Sequence, residues 1–179
     1  MKHKTKFLLV RHGECDYSEF DTKFYKGFGG NLAKMTDLGV SQIEKTAEDP
    51  RLQGADIMLS SPYTRALQTA AILNRNLGLK IIIETDLHEW VDEKNFVFQD
   101  YESAITAYEE FYKYDGVYPN GEERMWEDAA SLRERALGVL RKYQNYDKVI
   151  VACHGMLIQA TAGVQHPENG EIVEFELPE

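Results

Sequence analysis

The sequence predicts an α/β fold, a three-layer α/β/α sandwich whose central sheet is mostly parallel with one antiparallel strand at its edge. Short apolar runs alternate with stretches of helical periodicity along all 179 residues, as in chains whose parallel sheets are covered by helices on both faces. Turn and cap signals, rather than a long linker, separate these runs. The last apolar run alternates with polar residues, as expected of an edge strand. We therefore expect a single domain over residues 1–179.

The N-terminal part of the chain begins with a strand, a helix and a second strand. Residues 7–10, "FLLV", are typical of a short buried strand. Thr36 is placed to cap a helix that is expected to stop at Pro50. The run "ADIMLSS", residues 55–61, is the second predicted strand.

A second helix and a third strand follow. Ser61 can cap a helix, and Pro62 suits its first position, so the helix is expected to begin there. Its helical pattern runs to Gly78, which is expected to end it. Residues 79–85, "LKIIIET", then form the third predicted strand.

The middle of the chain is irregular, acidic and rich in aromatic residues. Within it, four residues follow helical spacing and predict an amphipathic helix: Tyr101, Ile105, Tyr108 and Tyr112. We expect residues 90–125 to act as a cap or specificity segment, together with the glycine-rich loop at residues 17–31.

The C-terminal part returns to regular alternation. "YPNGEE", residues 118–123, is a turn, and a long helix then places apolar residues from Leu132 to Tyr143 inward. "DKVIVAC", residues 147–153, is the fourth strand, and a helix over residues 154–163 follows it. Residues 169–177, "NGEIVEFEL", are expected to form the fifth strand at an edge.

Composition limits the partners of the protein. A formal net charge of −10 argues against nucleic acid or an anionic membrane, both of which select basic surfaces. It leaves room for a small phosphorylated substrate or inorganic phosphate in a local cationic pocket. No apolar run approaches the roughly 18 residues of a membrane helix. Two cysteines are too few for a disulfide framework, and the N-terminal apolar run is too short for a secretory signal, so we expect a cytoplasmic protein.

Residues capable of chemistry follow four predicted strands. Arg11 and His12 end the first, Arg65 lies in the helix after the second, Glu89 follows the third, and His154 ends the fourth. Because the carboxyl ends of parallel strands share one rim, these side chains are expected to converge. Paired guanidinium groups beside a helix N-terminus suit a phosphate dianion, while two imidazoles and a carboxylate can supply nucleophilic and acid–base chemistry. Each residue alone has an ordinary structural explanation, so the functional interpretation depends on this convergence.

Four segments in this order resemble the histidine phosphatase superfamily, which includes the cofactor-dependent phosphoglycerate mutases. They are "LLVRHGE", "LSSPYTRALQTA", the glutamate of "HEW", and "VACHGMLIQA", and the resemblance runs from about residue 6 to residue 177. Arg-His-Gly alone is a weak signal, but "SSPYTRALQTA" with a later His-Gly after an apolar strand is highly specific.

The resemblance implies a role for each strand-end residue. His12 would be the nucleophile that forms a phosphohistidine, and Arg11, Arg65 and His154 would bind the transferring phosphoryl group. Glu89 would be the general acid for the leaving oxygen and then the base for water. The two arginines and a protonated His154 are expected to keep His12 neutral. No metal or other cofactor is expected, because fixed cations take its place. The other ring nitrogen of His12 is expected to donate to a backbone carbonyl.

Two further residues are candidates for substrate binding. Gly155 follows His154 and lets the backbone approach a ligand closely. Ser18 stands where many members of the superfamily have an asparagine that helps to hold phosphate. Cys15 similarly replaces a frequent threonine.

The expected function is therefore metal-independent hydrolysis of a small phosphomonoester. A mutase is the nearest alternative, although mutases of this superfamily usually carry longer insertions and tails. A phosphate-binding module without turnover is the other alternative. A cysteine phosphatase is rejected because Gln159, not arginine, lies six residues after Cys153. A metal-dependent hydrolase is disfavoured because "HEWVD", which contains His88, lacks the second histidine of a His-Glu-x-x-His motif.

Overall fold

The computed structural model describes residues 4–19, 29–97 and 100–178. Its centre is a five-stranded sheet in the order β3-β2-β4-β1-β5. The strands are β1 (Lys6–Arg11), β2 (Ile57–Ser60), β3 (Ile81–Ile83), β4 (Lys148–Cys153) and β5 (Ile172–Phe175). The pairs β3–β2, β2–β4 and β4–β1 are parallel, and β5 runs antiparallel to β1 at the edge. The predicted fold class is confirmed.

In the part of the chain that the structure describes, six α-helices surround the sheet. They are α1 (Gly29–Leu32), α2 (Asp37–Thr46), α3 (Thr64–Leu73), α4 (Tyr101–Lys113), α5 (Ala129–Lys142) and α6 (Gly155–Ala162). Short 3₁₀ turns occur at Pro50–Leu52, Thr85–Leu87 and Pro119–Gly121. Within the described residues, no helix is both long and apolar enough to cross a bilayer.

The strands are apolar on both faces because each face packs against helices. In β1, Phe7 and Leu9 point toward α5 and α6, whereas Leu8 and Val10 point toward α2 and α3. All four side chains are fully buried. Continuous apolar runs such as "FLLV" therefore arise from a sheet covered twice, since successive side chains alternate between faces.

Register brings three strands to the same level at their carboxyl ends. Arg11 of β1 pairs with Cys153 of β4, and Ser60 of β2 pairs with Ala152. The next residue on each strand continues this alignment, since the amide of His12 donates to the carbonyl of Cys153 over 3.1 Å. The amide of Ser61 likewise donates to the carbonyl of Ala152 over 3.0 Å.

Helix α2 begins as the sequence predicts and ends at Thr46, before the expected stop at Pro50, whereas helix α3 differs from the expectation at both ends. The Thr36 cap of α2 is confirmed, because its hydroxyl accepts from the Gly39 amide at 3.0 Å. The expected cap of α3 at Ser61 is wrong, because α3 begins at Thr64 and its N-cap is Tyr63. Ser61 instead places its hydroxyl 2.7 Å from Nε2 of His154, a contact across the sheet that local sequence does not reveal. Helix α3 also ends at Leu73, before Gly78.

The segment predicted as a cap contains α4 and packs on the α5–α6 side of the sheet. Phe111 of α4 is buried, with its ring centroid 5.4 Å from that of Trp90 and 5.6 Å from that of Trp126. The helix predicted from aromatic spacing is therefore confirmed. Most of the glycine-rich loop predicted at residues 17–31 lies outside the described residues.

Candidate active site

The residues that follow β1 to β4 meet at the carboxyl-end rim of the sheet. The ring centroids of His12 and His154 are 5.2 Å apart. Nε of Arg65 donates to Nε2 of His12 over 3.2 Å. Arg11, Arg65 and Glu89 line one cavity of about 550 Å³. The structure thus brings the five predicted side chains into one site.

His12 has one nitrogen protonated and one available. Its Nδ1 lies 2.8 Å from the carbonyl oxygen of Gly13, which can only accept, so Nδ1 carries the proton. Nε2 is then the acceptor that faces Arg65, in agreement with the predicted tautomer. Burial is the main cause that lowers the pKa of His12 to about 3, and the charge of Arg65 is the second. His12 is therefore a neutral imidazole at neutral pH, and its unprotonated Nε2 accepts from Arg65.

His154 differs from the sequence expectation. It is completely buried, and this burial, followed by the charge of Arg65, places its pKa well below the usual value. The expectation of a protonated His154 in the free protein is therefore wrong. Nε2 of His154 lies 2.7 Å from the Ser61 hydroxyl, while its Nδ1 is buried with no hydrogen-bond partner among the described residues.

The two arginines are held by backbone carbonyls. Arg11 donates to the carbonyl of Pro167, and Arg65 donates to that of Gly30. Nε of Arg11 is buried without a partner within the described parts of the chain. Buried polar atoms without partners are rare in proteins, and this one belongs to a guanidinium group that lines the same cavity as Arg65. This arrangement suits an anion that accepts the missing hydrogen bonds.

Gly155 lies against the Arg11 side chain. A Cβ at this position would come within 3.2 Å of Nε of Arg11, closer than ordinary van der Waals contact. Glycine therefore lets the guanidinium pack on the first turn of α6. The contribution of Gly155 to the site is this space beside Arg11, and the close approach to a ligand expected from sequence stays a prediction.

Glu89 joins the loop after β3 to the start of α6. Its carboxylate accepts from the amides of Met156 at 3.3 Å and Leu157 at 3.2 Å, both in the first turn of α6. It also accepts from its neighbour Trp90 at 2.9 Å. Because α6 has no side-chain cap of its own at His154, Glu89 supplies acceptors that helix N-termini require.

Arg135 and Glu127 form a clamp around this loop that sequence reasoning missed. Arg135 donates to both carboxylate oxygens of Glu127, at 2.6 and 2.9 Å. The same guanidinium donates to the carbonyls of Asp86, His88 and Glu89 at 2.6, 2.7 and 3.0 Å. The clamp fixes the backbone at Glu89. In the sequence, Arg135 is one of several arginines on a predicted helix, so no local signal indicates this role.

Two other polar residues near His12 have different positions. Ser18 is exposed and does not line the cavity, and its amide donates to the Asp16 carboxylate at 2.9 Å. Sγ of Cys15 lies 3.3 Å from Nδ1 of His12, and burial is the main cause that raises the pKa of this thiol. No group of three or more potential metal ligands occurs among the residues that the structure describes.

Comparison with known proteins identifies the family of the chain. Residues 7–171 match the histidine phosphatase superfamily (branch 1). The chain is 32% identical over 163 residues to the uncharacterized phosphatase PhoE of Bacillus subtilis, which covers 87% of this chain and 75% of that protein.

Solved structures share the fold at low sequence identity. A mycobacterial glucosyl-3-phosphoglycerate phosphatase superposes with a TM-score of 0.72 and 17% identity, covering 96% of this chain and 89% of that one. A phosphoglycerate mutase from Bacillus anthracis superposes with a TM-score of 0.70 and 16% identity, covering 96% and 87% of the two chains. Since a phosphatase and a mutase both share it, the fold alone does not select between these reactions.

Proposed function

The chain belongs to the histidine phosphatase superfamily (branch 1), and on that premise we propose that it hydrolyses phosphomonoesters of small metabolites through a phosphohistidine at His12. The observation that carries the proposal is the state of His12, whose neutral ring presents an unprotonated Nε2 beside the Arg65 guanidinium. The similarity to a phosphatase over most of the chain supports hydrolysis. The two free cysteines fit a reducing, cytoplasmic location.

In the first step, the lone pair on Nε2 of His12 attacks phosphorus, and the bond from phosphorus to the ester oxygen breaks. Arg65 exchanges its hydrogen bond to Nε2 for one to a phosphoryl oxygen. Nε of Arg11 and a protonated Nδ1 of His154, which have no hydrogen-bond partner among the described residues, donate to the other phosphoryl oxygens. Glu89 gives its carboxyl proton to the departing oxygen. The fixed positive charges of the arginines neutralise the phosphoryl oxygens, and no metal ion takes part in this step.

In the second step, water attacks the phosphohistidine. Glu89, now a carboxylate, takes a proton from the water as its oxygen bonds to phosphorus. The bond from Nε2 to phosphorus breaks, the lone pair returns to His12, and inorganic phosphate leaves. The clamp from Arg135 supports this role because it fixes the backbone from which the Glu89 carboxylate extends.

The test is formation of the covalent intermediate. Rapid quenching after mixing with a chromogenic aryl phosphate, followed by mass spectrometry, should find one phosphoryl group on the parent protein and none on His12→Ala. His88→Ala is the matched control and should still form the phosphoenzyme, because His88 is not among the described residues that line the cavity. Hydrolysis by His12→Ala at the parental rate would refute the proposal. Isomerisation of a phosphoglycerate without release of phosphate would identify a mutase instead.

A further inference from the structure

The cavity is larger than a phosphate group requires, and most of the remainder is apolar. A volume of about 550 Å³ is in the range of sites that enclose a whole small-molecule ligand. The part beyond the arginines is formed by side chains from α4, α6 and the loop after β3. Its lining includes Trp90, Val97, Ile105, Tyr108, Tyr112 and Met156.

The aromatic side of this cavity is packed in advance of any ligand. The ring of Tyr108 lies 6.4 Å from Trp90 and 4.7 Å from Tyr112, measured between centroids. Tyr112 also stacks on His166 at 5.2 Å. Rings that already hold one another lose little freedom when a ligand arrives. The wall is therefore suited to a flat apolar group rather than to one that needs flexible polar contacts.

The rim of the cavity presents further apolar side chains to solvent. Phe96 is 71% exposed and Val97 is 62% exposed. Phe96 has a φ of 55°, a left-handed conformation that is uncommon for a residue with a side chain. The Glu93 carboxylate accepts from the Val97 amide at 2.6 Å and helps to hold this turn. The protein thus maintains a strained turn that keeps apolar groups beside the cavity opening.

Charge in the cavity opposes a second anionic group on the substrate. Among the lining residues that the structure describes, Arg11 and Arg65 are the only arginines or lysines, and both belong to the phosphate-binding part. Asp92 and Glu93 line the remainder. A carboxylate or second phosphate placed there would lose water and meet like charges. The described part of the cavity therefore disfavours bisphosphates and phosphorylated acids.

We infer that the preferred substrates are monophosphate esters whose alcohol or phenol part carries an uncharged aromatic ring. This ring lies against the side of the cavity formed by Trp90, Tyr108 and Tyr112. The inference rests on the proposed function and specifies the substrate class of the same site. It also predicts that phosphoglycerates, which carry a carboxylate, are poor substrates.

Binding of non-hydrolysable phosphonates tests the inference without turnover. Isothermal titration calorimetry on the full chain would compare methylphosphonate, benzylphosphonate and 4-carboxybenzylphosphonate. Benzylphosphonate should bind at least about tenfold more tightly than either of the others, a difference of about 1.4 kcal/mol. Equal affinity of the methyl and benzyl compounds, or equal or tighter binding of the carboxybenzyl compound, would overturn it.

A pair of variants in α4 locates the aromatic group. Ile105 lines the cavity, so Ile105→Asn should weaken benzylphosphonate binding about tenfold. Thr106→Asn is the control, because Thr106 is exposed, its hydroxyl donates to the Glu102 carbonyl of its own helix, and it is not among the described residues that line the cavity. Equal affinity of the two variants would contradict the assigned position. If the phosphonates behave as expected but no phosphoenzyme forms, the proposed function fails while the ligand class stands.

Discussion

Replacing Arg135 by glutamine should destabilise the protein strongly, because it removes the cation from a nearly buried pair. The side chains of Arg135 and Glu127 are 14% and 9% exposed. Arg135→Gln leaves the Glu127 carboxylate and three carbonyls without their shared donor. Breaking such a pair costs about 3–5 kcal/mol. With a urea m value of about 2 kcal/mol/M, the unfolding midpoint should fall by about 1.5–2.5 M.

The same substitution at an exposed pair on α5 is the control. Arg141 lies 2.7 Å from Glu134, and these side chains are 49% and 70% exposed. Arg141→Gln should cost less than about 1 kcal/mol, as exposed pairs do. Urea unfolding followed by circular dichroism measures both variants. If Arg135→Gln lowers the midpoint no more than Arg141→Gln does, the clamp does not hold the loop and this reasoning is refuted.

Two other predictions concern stability. The pKa of His12 is about 3 in the folded protein, and 6.5 is its ordinary value. Between pH 3 and pH 6.5 the unfolded chain therefore binds a proton at His12 that the folded protein does not bind. The free energy of unfolding should therefore fall as pH is lowered from 6.5 toward 3. The His12→Asn variant should lose less free energy of unfolding over that range. Equal losses in the parent and the variant at about pH 4.5, measured by urea titration, would argue against a buried neutral His12. Gly138→Ala should raise the free energy of unfolding by about 0.5–1 kcal/mol, since nothing lies within 4 Å of the added Cβ and α5 gains a better helix former. Gly13→Ala should instead lower it by about 3 kcal/mol, because its Cβ would meet the backbone oxygen of Gly39; thermal unfolding of the two variants measures the contrast, and a stable Gly13→Ala would contradict it.

The fold was predictable from sequence because its signals are local. The buried strand at residues 7–10 needed only a run of apolar side chains between turns. The cap at Thr36 acts within its own first turn, on the Gly39 amide. The meeting of His12 and His154 followed from parallel strand order, since strand ends in such sheets share a rim.

The missed features depend on contacts between distant parts of the chain. Ser61 looked like a helix cap, but His154, which lies 93 residues away, binds its hydroxyl. The neutral state of His154 results from complete burial, which a pattern of residue types does not report. Arg135 acts on carbonyls up to 49 residues away. The resemblance to the superfamily placed Ser18 among the predicted binding residues. In the structure, Ser18 is exposed and does not line the cavity.

The pairing of β1 with β4 has a consequence for how enzymes of this design can diversify. The separation of the two histidine rings is set by strand register inside the core, where Arg11 is opposite Cys153. A single-residue insertion in either strand would turn one ring to the other face of the sheet, because strand side chains alternate. Residues 90–125 lie outside this pairing, so replacing the segment leaves the register of β1 and β4 unchanged. Under the proposed function, grafting another segment onto this sheet would alter which ester enters, while the separation of the two histidine rings stays the same.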